Sequence, residues 1–134
     1  MDFFKIFITV LAMMIGWFVV HFLTRQRELI NRRSDKRVDY LIEAYRNLES
    51  SANRKQTDDI RDKVEKAIAD VHLFGTEEQI QLANKFSKDI SEKGEGSYHE
   101  LLLQLREDLR IELKLSKTTR EINYLRFSRG NKNS

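Results

Sequence analysis

The 134-residue chain has no cysteine, no proline and only five glycines. Without cysteine it has no disulfide framework, no thiolate metal site and no cysteine nucleophile. Without proline almost nothing interrupts a helix. Histidine is scarce as well. His21, His72 and His99 fall in three different predicted elements, so no pair has the spacing of metal ligands on one helix. His99-Glu100 would begin a zincin motif, but Leu103 stands where the second histidine is required. Gly94-Glu95-Gly96 lacks the third glycine of a dinucleotide fingerprint and follows a helix rather than a strand. Ser97 lacks the glycine spacing of a nucleophile elbow. No catalytic residue, cofactor or metal is expected, and the chain does not read as an enzyme.

What is present is dominated by residues 3–23, FFKIFITVLAMMIGWFVVHFL. From 6 to 23 there is no Asp, Glu, Lys or Arg. At about 1.5 Å per residue this stretch matches the roughly 30 Å hydrocarbon core of a bilayer, where a helix can satisfy its own backbone. It ends in Val-Val-His-Phe-Leu-Thr-Arg with no small-residue pair, so a retained transmembrane anchor over 1–24 is expected rather than a cleaved signal. His21 sits near the end of the stretch, where snorkelling explains it better than proton transfer.

The net charge of +3 conceals a pattern. Residues 25–37 hold six bases against two acids, residues 38–116 hold 12 bases against 17 acids, and residues 117–134 hold five bases against Glu121. One lysine before the apolar stretch and six bases after it predict an outer N-terminus and a cytoplasmic body at the inner membrane. Within this juxtamembrane stalk, Arg32, Arg33, Lys36 and Arg37 make one broad positive face. Anionic lipid headgroups are its expected partner. The basic tail offers little to nucleic acid, and residues 128–134 are expected to be disordered.

Periodicity predicts an all-α chain: an N-terminal transmembrane helix, then a small antiparallel helical bundle over 38–127. Ile30, Val38, Leu41, Ile42, Tyr45, Leu48 and Ala52 make one helical stripe, and the polar run 50–56 makes the first connection. Thr57 is an N-cap before Ile60, Val64, Ala67, Ile68, Val71 and Phe74, and Gly75 is expected to stop that helix in the left-handed conformation. Thr76 with Gln79, and Ser97 with Glu100, have capping-box spacing. The fourth helix is expected over about 98–115, with Tyr98, Leu101, Leu102, Leu105, Leu109 and Leu113 inward.

Leu103, Ile111 and Leu115 lie off that stripe. Either a short amphipathic helix over 118–127 covers them with Ile122, Leu125 and Phe127, or they form a partner or homo-oligomer interface. Arg106 and Arg110, four apart, could bind an anion, although local pairing with Glu107 explains them as well.

Leu73-Phe74-Gly75-Thr76, the Ile80–Phe86 helix and the LLLQLREDLRIELKL run of 101–115 resemble a group of uncharacterised bacterial proteins. That resemblance implies one N-terminal membrane helix and a small helical cytoplasmic body, and no activity. The expected function is a membrane-tethered interaction or scaffolding module with an unidentified protein partner. The alternative is a small membrane-active effector, such as a toxin or defence component, whose body senses a signal.

Overall fold

The computed structural model describes residues 2–127, and the basic end at 128–134 lies outside them. Helices account for all the regular structure among these residues: α1 (Asp2–Ser51), α2 (Asp58–Phe74), α3 (Glu77–Lys93) and α4 (His99–Glu112). The chain divides into two compact units, the first ending at Arg37 and the second beginning at Val38.

The first unit is helix alone. Every described residue up to Lys36 is exposed, including the apolar run, which is long and apolar enough to cross a membrane. Thr9 and Thr24 return their hydroxyls to the carbonyls of Lys5 and Val20, so neither is left with an unpaired donor. Trp17 and His21 stack with ring centroids 5.3 Å apart.

The second unit has one shared core. Leu41, Ala44 and Leu48 of α1 join Val64, Ala67, Ile68 and Val71 of α2, Ala83 and Phe86 of α3, and Leu101, Leu102, Leu105 and Leu109 of α4. Each group repeats at three or four residues, so each helix turns one face inward. Burying an aliphatic side chain of this size contributes roughly 1.5–3 kcal/mol. Gln79, fully buried, is the main polar member. Its Nε2 donates to Asp108 Oδ2 at 2.6 Å, and its Oε1 accepts from Thr76 N–H at 3.0 Å. The capping box at α3 thus continues into the core and ties α3 to α4.

Three helix boundaries depart from expectation. Gly75 ends α2 with φ −72°, an extended conformation. Glycine is needed there for space, because a Cβ would come within 2.4 Å of the Val71 carbonyl. The Ser97–Glu100 box does not form. Tyr98 occupies the N-cap, Ser97 Oγ accepts from His99 N–H at 3.3 Å, and the Glu100 carboxylate lies 3.7 Å from Arg120.

Helix α4 stops at Glu112, three residues early. Leu115 N–H bonds the Arg110 carbonyl and Lys114 N–H bonds the Ile111 carbonyl, the paired bonds of a Schellman turn. The left-handed position that such a turn gives to glycine is held by Lys114, at φ +57°. A side chain there costs roughly 1 kcal/mol. Leu113, expected inward, is carried out of the core by this turn and is exposed.

The segment after the turn is not helical. From 121 to 127 exposure alternates residue by residue, with Ile122, Tyr124 and Arg126 inward. Period two marks extended chain, so the expected set of Ile122, Leu125 and Phe127 splits. Ile122 packs on the core, while Leu125 and Phe127 face solvent.

Candidate interaction surface

The end of α1 is built to receive a cation from elsewhere. Helices α2, α3 and α4 carry His72, Lys93 and Arg110 in their last turns, but α1 has no basic residue in its own. Its terminal carbonyls therefore lack the local positive charge that favours a helix C-terminus. Arg126 supplies it from far along the chain. Its Nε donates to the Ala52 carbonyl at 3.2 Å, Nη2 donates to the Glu49 carbonyl, and Nη1 reaches the Glu49 carboxylate at 3.3 Å. The same guanidinium lies 5.5 Å from the Tyr124 ring centroid.

The rest of the 116–127 strap runs back along α4. Arg110 donates through Nε and Nη2 to the Ser116 carbonyl at 3.1 and 2.8 Å, and Arg106 donates to the Glu121 carbonyl at 3.0 Å. Arg120 lies 3.7 Å from Glu100 and 3.6 Å from Glu107, and the Tyr124 hydroxyl pairs with His99 Nδ1 at 3.3 Å. The strap is thus a basic, extended segment seated on Glu49, Glu100 and Glu107.

Tyr45 and Tyr98 lie close to the strap's own Tyr124. Burial pushes the Tyr98 hydroxyl up to about 12, helped by Tyr124 and opposed by Arg126. Burial likewise raises Tyr124, with Tyr45 and Glu49 adding to the shift, and raises Tyr45, where Arg106 opposes it. Tyr98 meets Phe86 edge-to-face at 5.3 Å, which links the strap site to the main core.

The residues singled out from the sequence are scattered. Arg32, Arg33 and Lys36 are exposed on the first unit, and Arg37 is half-buried. Leu103 is 6% exposed and offers no surface to a partner. Ile111 and Leu115 are 61% and 50% exposed, beside a cavity of about 210 Å³ lined also by Asp108, Arg110 and Lys117. That volume falls below the roughly 300–1,000 Å³ of small-molecule sites. Arg106 and Arg110 do share one side of α4, but both hold carbonyls of the strap. No group of three or more His, Cys, Asp or Glu among the described residues could hold a metal ion.

Arg126, Glu49 and the His99–Tyr124 pair escaped the sequence reading. The signals were an α1 terminus without a base and the alternation Ile-x-Tyr-x-Arg at 122–126. Comparison with protein-family models, curated proteins and solved structures finds no match.

Proposed function

We propose that this chain is a single-pass inner-membrane protein whose second unit, an antiparallel helical bundle, is a non-catalytic module that binds protein. One observation carries the reading. The apolar residues of 2–23 are wholly exposed in a helix of bilayer-spanning length, while the second unit completes a core without them. An apolar surface of that extent in water marks a membrane or partner contact. The basic stalk, with Arg32, Arg33, Lys36 and Arg37, then sits at anionic headgroups, and the body from Arg25 onward lies in the cytoplasm.

A reporter active only outside the cytoplasm, fused after Ser134, should stay silent, whereas the same reporter before Met1 should be active. The reverse pattern would overturn the orientation. Recovery of the full chain in the soluble fraction would overturn the anchor.

A further inference from the structure

We infer that the strap docks on a second copy of this chain as well as on its own body, so that two copies pair by exchanging residues 116–127. The site that receives it is the surface where Glu49, Glu100 and Glu107 meet the strap's arginines, beside Tyr45 and Tyr98. The inference deepens the proposed interaction module by naming its partner.

Three observations point to exchange. First, the strap is held by contacts that do not depend on the chain connection. The hydrogen bonds and ion pairs of Arg126, Arg120 and Tyr124 reach Glu49, Ala52, Glu100, Glu107 and His99, and the same atoms are available on an identical neighbour. Second, the turn that folds the strap back on its own body is strained. Lys114 holds a left-handed conformation, and opening the turn lets it relax to an extended one. Third, Ile111, Leu113 and Leu115 flank that turn and are exposed. Two opened hinges lying side by side would cover them. Arg120 and Arg126 of the strap match Glu49, Glu100 and Glu107 in charge, while Arg106 and Arg110 take strap carbonyls, so a second copy brings the right ligand and the right site together.

The chain's lack of cysteine makes the test direct. One full-length chain carries Arg54→Cys, two residues past the Ala52 whose carbonyl Arg126 holds, and the other carries Phe127→Cys, on the strap. The two are mixed in detergent and treated with a short bis-maleimide. Exchange predicts a joined product at twice 15.9 kDa containing one copy of each. Adding Arg126→Ala to the Phe127→Cys chain should remove that product, because the α1 carbonyls lose their cation. No joined product, or one that survives Arg126→Ala, would overturn exchange; survival would mean the chains merely meet through residues 1–24. Lys114→Gly, which fits the left-handed turn, should lower the yield about fivefold. Lys114→Pro, which cannot adopt it, should raise the yield. Equal yields from these two, with helicity unchanged by circular dichroism, would overturn the role of the hinge. Because the assay needs no bilayer, its failure leaves the membrane reading standing.

Discussion

Helix α1 contains two different uses of hydrophobic residues. Over 2–23 they occur all round and none is buried. Beyond Val38 they are fewer, and Leu41, Ala44 and Leu48 align on one face that is almost wholly buried. Pattern rather than hydrophobicity separates the two. A helix apolar on every side finds its match in lipid, whereas a single stripe can be satisfied by neighbouring helices with the other faces left to water.

The contrast should appear most sharply in paired charge substitutions. Leu48→Asp places a carboxylate at a fully buried position in the apolar core. It should destabilise the second unit by at least about 4 kcal/mol and abolish its cooperative melt in calorimetry. Ile15→Asp, in the exposed run, should leave that melt where it is. Its penalty falls on membrane insertion, at roughly 2.5–3.5 kcal/mol near a span centre, read as a shift from membrane to soluble fraction. If both variants disturb the melt equally, the two regions are not independent in the way their burial implies.

A smaller effect sharpens the second unit alone. Tyr98 titrates near 12 in the folded chain against 10.0 for the free side chain. Above pH 10 the unfolded chain gives up this proton while the folded one keeps it. The raised value therefore contributes stability below pH 10 that is lost as pH climbs towards 12. Tyr98→Phe should flatten this alkaline fall in melting temperature, with little change at pH 7. A fall of the same steepness in both chains would show that Tyr98 is not held neutral by burial.

Much of the architecture was legible in the residues because it rests on local chemistry. Thr57 caps α2 through Ile60 N–H, and Thr76 and Gln79 close a reciprocal box at α3, as their spacing predicts. Leu101, Leu102, Leu105 and Leu109 face inward because a 3.6-residue period leaves them no alternative once one side of α4 is covered. Gly94 ends α3 at φ +74°, where a glycine is at ease.

Three of the departures share one cause, which is that a distant residue prevailed over a near one. Ser97 and Glu100 have capping spacing, but Glu100 pairs with Arg120 from the strap. Arg106 and Arg110 read as a solvated, locally paired face or an anion contact, and carbonyls 6 to 15 residues away occupy them instead. Leu103 reads as outward from α4 alone and is buried in the second unit.

The amino-acid sequence by itself determined the four helices, the caps at Thr57 and Thr76 and the apolar span, since each depends on neighbours within a few residues along the chain. Only the tertiary structure decided the course of 116–127. Ile122, Leu125 and Phe127 suit a helix, the alternation at 122–126 suits an extended strap, and the local pattern holds both. The choice fell to Arg126, whose guanidinium meets the uncapped carbonyls of α1 74 and 77 residues away, and to the carboxylates of Glu100 and Glu107 beside Arg120. Extended chain turns Ile122, Tyr124 and Arg126 inward together, which a helix, with Tyr124 on the face opposite Ile122 and Arg126, could not do.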